Sequence, residues 1–257
     1  MVSNSVIYMM AFAAIFSLLF PIGLFIFFKL KDKISVKPVI LGVLTFIVFS
    51  QILEKLMHVF VMNNNLITAP LLFAIYGALA AGVFEEVGRY IIMKLFMKKE
   101  TEWKDGIAFG IGHGGIEAIL LACFGNLTYI FYAKLINAGL FEKTLSGKAP
   151  AATIAAIKSS LISATPALTS LGAFERLFAI IAHLGFSLIV IYSVKSKKPI
   201  YLLIAIIAHA VMDFPAGLAQ VHILNNIWFV EGFFAIFSIA MLIFIVKSKE
   251  IFKNLNT

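Results

Sequence analysis

The chain alternates between long apolar runs and short polar connections. An α-helix needs about 20 residues to cross a bilayer. Seven runs reach that length: about 5–28, 38–61, 70–95, 105–133, 174–194, 200–220 and 226–246. Each predicts a transmembrane helix. No basic segment precedes the first run, so it reads as a spanning helix and not as a cleaved signal. The connections then sort by charge. Lys29, Lys31, Lys33 and Lys37 follow the first helix; Lys94, Lys98, Lys99 and Lys104 the third; Lys195, Lys197 and Lys198 the fifth; Lys247, Lys249 and Lys253 the seventh. The alternate connections at 63–65 and 220–226 hold no Lys or Arg. The positive-inside rule predicts a multi-pass protein of the cell membrane, N-terminus outside and C-terminus cytoplasmic. Trp103, Tyr201 and Trp228 fall at helix ends, where interfacial aromatics belong.

The connection over 134–173 is long and rich in Ala, Ser and Thr. Within it, Pro150 to Leu161 is expected to form a helix at the interface. The expected fold is an all-α polytopic bundle of about seven transmembrane helices. A single integral-membrane domain over 1–257 is expected, with that extra helix near 150–161.

Composition sharpens this picture. Apolar residues make up 61% of the chain and charged residues 13%, against about 45–50% and about 25% in soluble domains. The net charge of +8 would suit a nucleic-acid partner, but the lysines lie in short clusters between spans. They set topology, and the bilayer is the partner they imply. A lone cysteine, Cys123, rules out an internal disulfide and a cysteine-rich zinc site. No internal repeat is visible, which weighs against a secondary transporter.

Four of the spans carry ionisable groups that lipid-facing helices avoid: Glu85, Glu86 and Arg89; His113 and Glu117; His183; His209 and Asp213. Each charge at a helix centre costs roughly 2.5–3.5 kcal/mol even on a lenient insertion scale. Five such charges left unpaired would cost on the order of 15 kcal/mol. That rivals a domain's net stability of about 5–15 kcal/mol. The groups must meet one another, water or a metal. Depth supports a meeting. Counted from the flanking lysines, Glu85, His113, His183 and His209 all lie about 13–18 Å from the lysine-rich ends of their helices. Glu85 and Arg89 share a helix face at i,i+4, and Glu86 reaches Arg89 at i,i+3. His113 with Glu117 and His209 with Asp213 repeat the i,i+4 spacing, which lets a carboxylate orient a histidine ring. Gly106, Gly110, Gly112, Gly114 and Gly115 predict close helix contact around His113, or room for a substrate backbone. His58 reads as a packing residue, with Glu54 one turn before it. Glu175 and Arg176 read as a local pair at the interface.

Glu-Glu-x-x-Arg at 85–89, Phe-x-x-x-His at 109–113 and His-x-x-x-Asp at 209–213 resemble the motifs of the CAAX-protease and bacteriocin-processing superfamily and its PrsW-like relatives. The chain looks most like the YhfC family of intramembrane metalloproteases, over most of its length. Type II CAAX proteases have one more residue between the glutamates and the arginine, and PrsW-like proteins have Glu-Glu-x-x-Lys. The resemblance implies a peptidase acting on a membrane-embedded or membrane-proximal peptide or membrane protein. Glu85 is then the base, and Glu86, Arg89, His113, Glu117, His209 and Asp213 assist. His113, His183 and His209 can supply three nitrogens to zinc, the expected metal, with a position left for water. No His-Glu-x-x-His occurs, so a zincin-type site is excluded. A metal-independent route stays open, in which a glutamate–histidine pair activates water and His209 with Asp213 stabilises the oxyanion. Two other classes also stay open: a proton-coupled transporter, and a non-catalytic peptide-binding or immunity protein.

Overall fold

The computed structural model describes residues 1–254. The described residues form nine helices and no strand: α1 (Asn4–Lys31), α2 (Val36–Asn63), α3 (Pro70–Phe96), α4 (Trp103–Asn137), α5 (Phe141–Leu145), α6 (Ala151–Ser163), α7 (Pro166–Ser196), α8 (Ile200–Gln220) and α9 (Ile227–Asn254). All seven apolar runs are helices long enough to cross a membrane. At about 1.5 Å per residue a 28-residue helix is about 42 Å long, against a hydrocarbon core of about 30 Å. The chain is a multi-pass membrane protein. Its side chains are distributed accordingly. Ile236 and Val246 are 71% and 68% exposed, as lipid-facing residues should be, while Ser17, Ser238 and Ser248 are buried. Ser238 donates its hydroxyl to the Phe178 carbonyl at 3.0 Å, so burial leaves it satisfied.

Two helices are not α-helical throughout. Phe46–Glu54 in α2 and Ala118–Cys123 in α4 are π-helical. The wider turn of a π stretch shifts the phase of every side chain beyond it, and such stretches concentrate at functional sites. In α2 it points Phe46, Ser50 and Glu54 inward together.

The chain packs as two compact units. The first combines Met1–Phe20 with Glu117–Leu177. Val2, together with Val6 and Met10 of α1, forms an apolar core there with Ala133 and Ile136 of α4, Phe141 of α5, and Ile154 and Leu161 of α6. Asn137 clamps the chain start, accepting from Val2 N at 2.7 Å and donating to Val2 O at 2.9 Å. The helix expected at 150–161 is α6. Ile154 and Leu161, seven residues apart and so on one face, are its buried residues.

The second unit combines Pro21–Ile116 with the chain from Phe178 onward. Here α8 packs closely along α3, and the π stretch of α2 lies against α3. Gly82 of α3 sets the first of these approaches, and Gly112 sets that of α4 to α2. A Cβ on Gly82 would sit 2.6 Å from the Ile206 carbonyl oxygen of α8, and one on Gly112 would sit 2.0 Å from the Val39 carbonyl oxygen of α2. Gly106, Gly110 and Gly114 face Leu188, Leu184 and His183 of α7. The glycine-rich face of α4 is thus filled by neighbouring helices. The apolar core of this unit includes Met93, Met97, Ile107, Phe109, Phe186, Leu188 and Ile191.

Candidate active site

Glu85 and Glu86 project from the middle of α3. Consecutive helical residues point about 100° apart, so the two acids meet different neighbours. Glu85 Oε2 lies 2.8 Å from His113 Nε2 on α4 and 3.9 Å from His183 Nδ1 on α7. Glu86 Oε1 lies 2.7 Å from His209 Nδ1 on α8. An ionised carboxylate only accepts, so His209 donates from Nδ1. Its Nε2 is left 4.0 Å from Glu85 Oε2 and 3.4 Å from Asp213 Oδ2. The rings of His113, His183 and His209 follow one another, with centroids 5.2 and 5.7 Å apart. Phe186 stacks on His209 at 4.7 Å and holds that ring from one side.

Arg89, one turn beyond Glu85 and fully buried, ties the cluster together. Its Nη2 donates to Glu85 Oε2 at 3.2 Å and to His183 Nδ1 at 2.7 Å. Its Nη1 donates to the His183 carbonyl at 3.2 Å and to Ser187 Oγ at 3.3 Å. Its Nε is 3.5 Å from Glu86 Oε1. A planar fork with five donors reaches several acceptors at once; a lysine point charge would not. Because His183 accepts at Nδ1, a neutral ring carries its proton on Nε2.

Two sets of side chains offer metal-ligand atoms within 4.8 Å of one another: Glu85, His113 and His183; and Glu85, Glu86 and His209. Tetrahedral ligands at the zinc bond lengths of about 2.0–2.2 Å would lie about 3.3–3.6 Å apart. The separations of 2.8, 3.9 and 4.0 Å around Glu85 Oε2 bracket that value. Glu86 Oε2 is buried and has no hydrogen-bond partner, as expected of an oxygen awaiting a cation. The donors fit a divalent metal. The three histidines named from sequence all take part, but they divide between the two sets, and Glu85 is common to both.

The sequence assigned orienting roles by i,i+4 spacing, and the structure redistributes them. Glu86, from another helix, is the closer partner of His209; Asp213 contacts the opposite ring nitrogen, and its side chain is 35% exposed. Glu117 accepts from Arg176 Nη1 at 2.9 Å within the first unit, and Arg176 also pairs with Glu175. Ser187 escaped the sequence reading. Its position four residues after His183 would have placed it on the same helix face. Glu54, read only as a neighbour of His58, is buried, and His58 bridges it to Tyr76.

Seven apolar spans and, within the second unit, a buried set of acids, histidines and one arginine define a polytopic membrane protein with metal-ligand groups among its helices. The chain belongs to the YhfC family: the family model described as YhfC intramembrane metalloprotease matches residues 16–234. It is 40% identical over 258 residues to the "Uncharacterized membrane protein YhfC" of Bacillus subtilis (strain 168), a match covering 98% of this chain and 100% of that protein. No solved structure matches.

Proposed function

We propose that this protein is an intramembrane metallopeptidase that hydrolyses a peptide bond in a membrane-embedded or membrane-proximal substrate. One observation carries the reading: Glu85, buried in mid-span, is hydrogen-bonded to His113 and belongs to both ligand sets. Hydrolysis needs an acceptor for the proton of water and a donor to the leaving amine. Glu85 would be the acceptor, through the carboxylate oxygen that is not used as a metal ligand. Glu85 returns that proton to the amine, and His113 Nε2 donates to Glu85 Oε2 at 2.8 Å and holds the carboxylate in place. Arg89 offsets the charge of the two acids and fixes the Glu85 rotamer. Glu86 holds His209 so that Nε2 faces Glu85. Zinc is the metal we propose, held by Glu85, Glu86 and His209. This set is less obstructed than the other, because Arg89 already donates to His183 Nδ1. When bound, such an ion polarises the carbonyl and makes water a stronger acid.

The positive-inside rule supports an N-terminus outside and a C-terminus in the cytoplasm. The name of the matched family supports a peptide substrate. Purified protein with a model transmembrane peptide provides the test. Loss of a general base costs about 10²–10⁴ in rate, so Glu85→Gln should abolish detectable cleavage while eluting as the parent does. Full cleavage by that variant would remove Glu85 from the chemistry. Proton-driven flux in vesicles without cleavage would point to the transporter class.

A further inference from the structure

The hydrolytic reading requires water at mid-bilayer, and the two ends of the second unit differ in what lies between the site and the aqueous phase. Towards the lysine-rich end the next buried layer is apolar: Met93 on α3, Met97 just past its end, Ile107 on α4, Leu188 and Ile191 on α7, and Ala205 on α8, none more than 1% exposed. The buried polar Asp105 and Ser193 on that side are taken up by the nearby backbone, at Glu102 N and Lys198 O. Towards the lysine-poor end, buried small and apolar side chains such as Ala74, Ala78 and Met212 are interrupted by a file of polar ones. Asp213 follows His209 by one turn and is partly exposed. On α2 the π stretch buries Ser50 and Glu54. His58 lies one turn further out, with Nε2 3.2 Å from Glu54 Oε1 and Nδ1 2.8 Å from the hydroxyl of Tyr76 on α3. Exposure rises along this file, from 9% for the Glu54 side chain to 29% for His58. Tyr76 is nine residues nearer that end than Glu85, about 13 Å along the helix.

Glu54 is the element that packing alone does not explain. A carboxylate inside a membrane bundle is costly and by default functional. One of its oxygens bonds His58 and the Ser50 hydroxyl reaches the carboxylate; Oε2 is buried with no hydrogen-bond partner at bonding distance. The carboxylate also interacts electrostatically with Glu85, His209 and Asp213, so it belongs to the field of the site. Buried polar oxygens of this kind are ordinarily satisfied by water.

We propose that water reaches the site from the lysine-poor end of the bundle, along the polar file Tyr76–His58–Glu54 and past Asp213. Glu54 Oε2 holds the innermost water before Glu85. The opposite end is sealed by the methionine and aliphatic layer. This rests on the hydrolytic reading for its purpose, but its test needs no turnover. In a Cys123→Ala background, single cysteines replace Glu54, His58, Asp213, Met93 or, as a surface control, Asn64. Each variant is reconstituted in sealed vesicles of known orientation and treated with a charged, membrane-impermeant thiol reagent. Glu54→Cys, His58→Cys and Asp213→Cys should react from the Asn64 side about tenfold faster than from the other, a barrier difference of roughly 1.4 kcal/mol. Met93→Cys should react from neither. Should Glu54→Cys not fold, His58→Cys and Asp213→Cys, at positions whose native side chains are 29% and 35% exposed, carry the same comparison. Equal rates from both sides, faster reaction from the lysine-rich side, or silence at 54, 58 and 213 while Asn64→Cys reacts would each overturn the route. A failure of the peptidase reading would show separately, in the Glu85→Gln cleavage assay.

Discussion

Replacing Arg89 with methionine tests whether this side chain holds the site together. Arg89 makes five polar contacts at 3.5 Å or less: two to Glu85 and Glu86, two to His183 and one to Ser187. Hydrogen bonds to charged groups are worth about 1.5–3 kcal/mol each. Four of them, with the Glu86 ion contact added, would sum to most of a protein's stability, which is too much. Desolvating the guanidinium costs several kcal/mol and cancels a large share. The relevant quantity is the cost of leaving buried carboxylates without their cation, about 3–5 kcal/mol. At about 2–4 °C per kcal/mol for a chain near this size, Arg89→Met should lower the unfolding midpoint on the order of 10 °C. The measurement is thermal unfolding in detergent with a chelator present, so that no metal substitutes for the missing charge. Arg89→Lys keeps the charge but loses the fork and should fall between. The double variant Arg89→Met/Glu86→Gln removes one of the stranded charges and should be less damaged than the two single losses added together, by about 0.5–3 kcal/mol. A midpoint within about 1 °C of the parent for Arg89→Met, or strict additivity in the double variant, would refute the argument.

Other consequences follow from the same geometry. Glu86→Gln replaces a proposed ligand as well as the acceptor that orients His209, and should cost at least the about 10–100-fold in metal affinity that loss of an orienting partner alone costs; zinc content after dialysis against graded free metal reads this directly, and unchanged affinity would argue against the Glu85–Glu86–His209 set. Gly112→Ala drives a Cβ to within 2.0 Å of the Val39 carbonyl oxygen. It should destabilise by about 1–3 kcal/mol as overpacking does, whereas Gly125→Ala, with nothing within 4 Å of its Cβ, should be neutral or slightly stabilising in the same unfolding assay. A reporter fused at the C-terminus should be active only as a cytoplasmic fusion, and one fused in the connection at 63–65 only outside; the reverse pattern would invert the proposed topology.

The primary structure alone determined how often the chain crosses the membrane and how deep its polar groups lie. Both are one-dimensional properties: run length against bilayer thickness, and residue count times helical rise. That is why the seven predicted runs reappear as α1–α4 and α7–α9, and why Glu85, His113, His183 and His209, matched in depth, meet. Partner choice is a matter of rotation about each axis, and tertiary packing decided it. Spacing offered Asp213 to His209, yet Glu86 from α3 reaches the Nδ1 nitrogen because Gly82 lets α8 approach closely. Arg89 was legible as a partner of Glu85 and Glu86, but not as a donor to His183 and Ser187 on α7. The inward turn of Glu54 depends on a π stretch, a change of helical phase that a periodic reading of the sequence assumes away.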